Sequence, residues 1–101
     1  MVKILLCCAA GMSTSMVVKK MQQAAQSQGI EAEINAVGME DFDSHYNDYD
    51  CYLLGPQIKY KLADLKIKAD AAGKPISVIN AMDYGMMKGD KILADALAMM
   101  E

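Results

Sequence analysis

The feature that most constrains this chain is an alternation of two hydrophobic periods along its 101 residues. Short apolar runs, Ile4 to Cys8, Cys51 to Leu54 and Ile76 to Ile79, take turns with segments whose apolar residues recur every three or four positions. Runs of the first kind suit strands covered on both faces, and segments of the second kind suit amphipathic helices. From Ser13 to Gln28 the apolar positions are Val17, Met21, Ala24 and Ala25, with Lys19, Lys20, Gln22, Gln23 and Gln26 opposite. Gly29 follows where a left-handed cap belongs. Glu31 to Ala36 alternates with period two and a polar outer face, which predicts an edge strand. Gly38 to Asp50 is acidic, with Phe42, Tyr46 and Tyr49 spaced to anchor a short helix or loop. Ile58, Leu62, Leu65, Ala69 and Ala72 mark a further helix, stopped by Gly73-Lys74-Pro75. Asn80 to Lys88 reads as a loop, followed by a last helix that Asp90 would cap, with Ile92, Leu93, Ala96, Leu97 and Met100 facing inward.

The order βαβαβαβα predicts an α/β fold: one domain over residues 1–101, an open, doubly wound, four-stranded parallel sheet with helices on both faces. The polar second strand belongs at an edge, giving the order 2-1-3-4. The switch point then falls between strands one and three, where such sheets bind ligands at their carboxyl ends. Two loops meet there, Cys8 to Ser15 and Gly55 to Ile58.

Composition narrows the function. The net charge of −3 argues against nucleic acid as the main partner. All ten cations are Lys, so the preferred bidentate clamp for phosphate is missing. Three Cys, with Cys7 and Cys8 adjacent, do not make a disulfide framework and suit a reducing cytoplasm. Met1 to Ala10 has a superficial likeness to a signal peptide. Its apolar run is short, however, and leads into a helix pattern rather than a cleavage site. No window approaches the roughly 18 apolar residues that a membrane span needs. A soluble cytoplasmic protein is expected.

The loop Cys8-Ala9-Ala10-Gly11-Met12-Ser13-Thr14-Ser15 joins a strand to a helix. Its small residues let the backbone curl, and the unpaired N–H groups of a helix start form a ready anion site. Ser13, Thr14 and Ser15 add hydroxyl donors. A thiol at the rim of such a nest has its pKa lowered, typically to about 3.5–7.5. Charge-assisted hydrogen bonds of roughly 1.5–3 kcal/mol each would hold a phosphoryl group there without Arg. The residues alone leave a second reading open, in which Cys8 is a buried small hydrophobe at an ordinary strand-to-helix turn. If Cys8 faces the loop, Cys7 faces the core. Cys51 opens strand three at the opposite sheet edge and reads as structural.

Cys8-Ala9-Ala10-Gly11-Met12-Ser13-Thr14-Ser15, then Asp50 to Ile58 with Leu53-Leu54-Gly55-Pro56-Gln57-Ile58, then Asp83-Tyr84-Gly85, resembles the lactose/cellobiose-type IIB component of the bacterial phosphoenolpyruvate-dependent sugar phosphotransferase system. The resemblance spans essentially the whole chain. It implies that Cys8 accepts a phosphoryl group from a phosphohistidine on a IIA protein and passes it to a sugar held by the membrane IIC component. It also implies that Ala9 to Ser15 (Ala9, Ala10, Gly11, Met12, Ser13, Thr14 and Ser15) bind the phosphate. Gly55, Pro56, Gln57, Ile58 and Tyr84 become candidates for flanking the site or docking a partner. No cofactor or metal is implied, and a monomer is expected of a relay that presents one face to successive partners.

The loop is also similar to that of low-molecular-weight tyrosine phosphatases, but Thr14 stands where those enzymes have Arg, and no Asp-Pro pair occurs. Both losses favour a phosphocysteine that persists until an acceptor arrives. A thiol reductase would want Cys-x-x-C, which is absent. A receiver-like module would need acidic residues where Cys8 and Gly55-Pro56 stand. Met12, Ile58, Tyr60, Met82, Met86 and Met87 are candidates for an adaptable apolar rim. His45, the only His, sits among Asp41, Asp43, Asp48 and Asp50 with no ligand spacing, and reads as part of a solvated acidic face.

Overall fold

A computed structural model describes residues 2–8, 12–38 and 48–100, with positions 8 and 12–14 described by backbone alone. Its elements are β1 (Val2–Cys8), α1 (Met12–Ser27), β2 (Ala32–Gly38), β3 (Cys51–Leu54), a 3-10 segment (Pro56–Lys61), α2 (Leu62–Ala71), β4 (Ile76–Val78), α3 (Ala81–Gly85) and α4 (Gly89–Met99). The sheet has four parallel strands in the order β2-β1-β3-β4, as the hydrophobic pattern predicts.

Ile4, Leu5, Leu6 and Cys7 are all fully buried, because β1 is central and both its faces are covered. On one face Ile4 and Leu6 pack with Val17, Met21 and Ala25 of α1, Leu53 of β3, and Ile92, Leu93 and Ala96 of α4. On the other, Leu5 and Cys7 join Tyr52, Leu54, Ile58, Leu65 and Ala69. The period-two alternation of strand side chains sorts β1 between these two clusters. β2 is an edge strand and keeps Glu33 and Asn35 exposed. Helices α1 and α2 end at Gly29 and Gly73, whose φ angles of 70° and 72° supply the left-handed turn that other residues resist.

Three local expectations change. The stretch Asn80 to Lys88 is not wholly loop, since it contains α3. The Asn80 side-chain oxygen accepts from the amides of Met82 at 2.9 Å and Asp83 at 3.1 Å, satisfying donors that the helix start leaves open. Asp90 does not cap the last helix, because α4 already begins at Gly89 with Lys88 in the cap position, which places Asp90 inside the first turn. The helix expected from Ile58 starts instead as a 3-10 segment with Pro56 at its head, and Ile58 itself has non-helical angles. The acidic stretch around Phe42, His45 and Tyr46 lies outside the described residues.

α3 ends in a Schellman turn. The amide of Met87 donates to Tyr84 at 3.1 Å and that of Lys88 to Asp83 at 2.9 Å. Met87 occupies the left-handed position with φ 54°. Lys91 lies 2.8 Å from the Asp95 carboxylate on its own helix and 3.9 Å from that of Asp83, tying α3 to α4.

Candidate functional site

The carboxyl ends of β1, β3 and β4 are brought level by the ladder. Cys7 is in register with Leu54, and Leu54 with Val78. Beyond those pairs the Gly55 amide donates to the Cys7 carbonyl at 2.8 Å, and the Ile79 amide donates to the Leu54 carbonyl at 2.8 Å. On the other side of β1, Cys8 is in register with Gly38. The last residue of β1 is therefore bordered by two glycines, one following β3 and one closing β2. Residues without side chains at strand ends leave room for a ligand to approach the backbone.

Cys8 closes β1, and α1 begins four positions later at Met12. Ala9, Ala10 and Gly11 lie outside the described residues, while Met12, Ser13 and Thr14 form the opening turn of α1. Ser15 is exposed in the same helix. α1 is 16 residues long, so its first turn carries the positive end of a full helix dipole.

The other cysteines are accounted for. Cys7 is fully buried between Leu5 and the β3 and 3-10 residues, as alternation along β1 predicts. Cys51 is fully buried at the start of β3, toward the amino end of the sheet. Burial, reinforced by the neighbouring Asp50 carboxylate, pushes its thiol up to about 12.

Gly55 to Ile58 flank β1 as the sequence suggests, but their roles divide. Gly55 is buried and Pro56 heads the 3-10 segment. Ile58 is fully buried, with its amide donating to the Gly55 carbonyl at 3.0 Å. It is an anchor of the core rather than part of an apolar rim. Gln57, between these two fixed points, is exposed. Tyr84 is only 8% exposed and packs in the cluster beneath α3. Tyr60, Met82 and Met86 are 62–68% exposed, and Met87 is 37% exposed. The Asn80 cap was the missed signal at this edge: an Asn three residues before Asp83 is a helix-start pattern. No group of His, Cys, Asp and Glu among the described residues could hold a metal ion.

Residues 3–95 match the family model for the lactose/cellobiose-specific IIB subunit of the phosphotransferase system. The chain belongs to this family. It is thus an EIIB component, a phosphotransferase of the sugar-uptake system, and such a component works between IIA and IIC partners. It is 47% identical over 98 residues to the galactose-specific EIIB component of Lactococcus lactis subsp. cremoris, covering 92% of this chain and 91% of that one. It is 44% identical over 100 residues to the oligo-beta-mannoside-specific EIIB component of Bacillus subtilis, covering 99% and 97%. In structure it resembles the cellobiose-specific IIB component of Borrelia burgdorferi, with TM-score 0.81 and 37% identity over 98% of this chain and 91% of that one. The lactose-specific IIB domain of Streptococcus pneumoniae shares the fold, with TM-score 0.90 at 20% identity over 99% and 98% of the two chains. No helix among the described residues is long and apolar enough to cross a membrane.

Proposed function

We propose that this EIIB component carries its phosphoryl group on Cys8. The Cys8 thiolate attacks the phosphorus of a phosphohistidine on the IIA partner. An S–P bond forms, the P–N bond breaks, and the imidazole keeps the electron pair. In the second step a hydroxyl oxygen of a sugar bound by the IIC component attacks the same phosphorus. The S–P bond breaks, the thiolate is regenerated, and the hydroxyl proton passes to a base or solvent on the acceptor side.

The observation that carries this reading is the position of Cys8 at the end of β1, four residues before a 16-residue helix. The amides of Ala9 to Ser15 would hold the dianion, with Ser13, Thr14 and Ser15 adding hydroxyls. The full burial of Cys7 and Cys51 supports it, because neither sulfur can meet a partner protein without unfolding part of the sheet. The lack of Arg supports a relay over a hydrolase, since no guanidinium is available to clamp a transition state for water attack.

The chain would act in the cytoplasm as a one-domain monomer that reaches the membrane only through IIC. Its exposed Met82, Met86 and Met87 give an adaptable surface on the side of the sheet where both partners would dock. Sugar choice would rest with IIC. In support, this chain is 47% identical both to a galactose-specific and to a cellobiose-specific EIIB component.

The test supplies phosphoenolpyruvate, the general phosphotransferase proteins and a IIA protein, and locates the phosphate by mass spectrometry. Cys8→Ser should lose the label, and Cys7→Ser should keep it. The opposite pattern overturns the assignment.

A further inference from the structure

The chain contains no Arg, so a dianion at the end of β1 depends on Lys or on neutral donors. Among the described residues that follow β3 and β4 at this edge of the sheet, two are uncharged amides, Gln57 and Asn80. Asn80 has its oxygen committed to the start of α3, and it follows β4, two strands away from β1. Gln57 follows β3, the direct neighbour of β1. Gly55 is tied to the Cys7 carbonyl and so stands beside Cys8, roughly 4.8 Å away by ordinary strand spacing. Gln57 lies two residues further along a segment that rises only about 2 Å per residue. An extended glutamine side chain and a cysteinyl phosphate together span that separation.

Gln57 is also prepared for such a contact. Its backbone is held on both sides, by Gly55 in the ladder and by fully buried Ile58. Its side chain is exposed, and the structure gives it no hydrogen bond to another described residue. With the backbone already fixed, only the side-chain torsions remain to be ordered when the donor closes on an anion.

We infer that Gln57 is a phosphoryl-binding residue, its side-chain N–H donating to a phosphoryl oxygen carried on Cys8. The inference rests on Cys8 being the phosphoryl carrier. A neutral donor stabilises the dianion without the strong clamp of a guanidinium, which keeps the phosphocysteine transferable.

The experiment uses the full chain with a purified IIA protein, the general phosphotransferase proteins and phosphoenolpyruvate. Once equilibrium is reached, intact-mass and phosphorus NMR measurements give the partition of phosphate between the IIA histidine and Cys8. This partition does not depend on how fast the proteins dock. Gln57→Ala should move it away from Cys8 by about tenfold, the effect of one hydrogen bond to a charged group. Gln57→Glu should move it further, because a carboxylate repels the dianion. Gln57→Lys should hold or raise the Cys8 share. All three should melt close to the unaltered protein, since residue 57 is exposed. If Cys8 is labelled and Gln57→Ala and Gln57→Glu leave the partition unchanged, the inference is overturned while the carrier assignment stands. An equal loss in Gln57→Lys and Gln57→Ala overturns it also, by showing a merely structural role. A label found elsewhere than Cys8 in the unaltered protein overturns both.

Discussion

The amide of Gly55 and the carbonyl of Cys7 are joined at 2.8 Å, just past the last register pair of β1 and β3. This bond fixes the Gly55-Pro56-Gln57 turn against the strand that ends at Cys8. Gly55 has φ −61° and ψ 147°, angles that proline adopts, so Gly55→Pro removes the N–H without changing the backbone conformation. Removing this donor from the Cys7 carbonyl should cost about 0.5–1.5 kcal/mol, the net worth of one hydrogen bond. Urea unfolding measures this, and an unshifted midpoint would show that the bond contributes nothing.

Gly89 approaches α1 so closely that an added Cβ would lie 2.6 Å from the Lys20 Cβ and from the Met21 amide nitrogen. Helix propensity alone expects Gly89→Ala to stabilise. The close contact decides otherwise: backbone atoms must move apart, at about 1–3 kcal/mol. Gly85→Ala is the control, because nothing lies within 4 Å of its added Cβ. It should gain roughly 0.5–1 kcal/mol. Thermal melts of the two variants should therefore shift in opposite directions.

Met87 holds a left-handed φ of 54° at the Schellman position of α3. A Cβ there is unfavourable by roughly 1–2 kcal/mol. Met87→Gly should stabilise by about 1 kcal/mol in denaturant titrations, the exposed side chain contributing little packing. A destabilised variant would mean that the Met87 side chain packs more strongly than its exposure indicates.

Cys51 should not react with alkylating reagents in the native protein at pH 8, because its thiol is raised from an ordinary 9.0 to about 12. Between these two values the unfolded chain has lost a proton that the folded chain keeps. Stability from this group is full below pH 9 and falls as the pH rises toward 12. Cys51→Ala should remove that part of the alkaline loss. Urea midpoints across pH 8–12 in both proteins make the comparison.

Much of this architecture was legible because side-chain periods report solvent directly. Ile4 to Cys7 is uniformly apolar and proves central, while Glu33 and Asn35 on alternate positions mark the outer strand. The sheet order follows from that contrast. What escaped reading depends on contacts between distant residues. Ile58 reads both as the first residue of an apolar stripe and as part of the flanking loop, and only its full burial beside exposed Gln57 decides for the core. Tyr84 reads as part of a motif, and only its packing beneath α3 shows it to be core. The pressure of Gly89 on Lys20 arises from helices far apart in sequence. The short α3 was accessible through its Asn cap, but five residues carry too little periodicity to announce a helix.

β1 contributes Ile4 and Leu6 to one apolar cluster and Leu5 and Cys7 to the other. The two layers therefore share this strand and should melt together. Damage to either layer is felt by the same ribbon, and its end at Cys8 should come apart only when the two layers do.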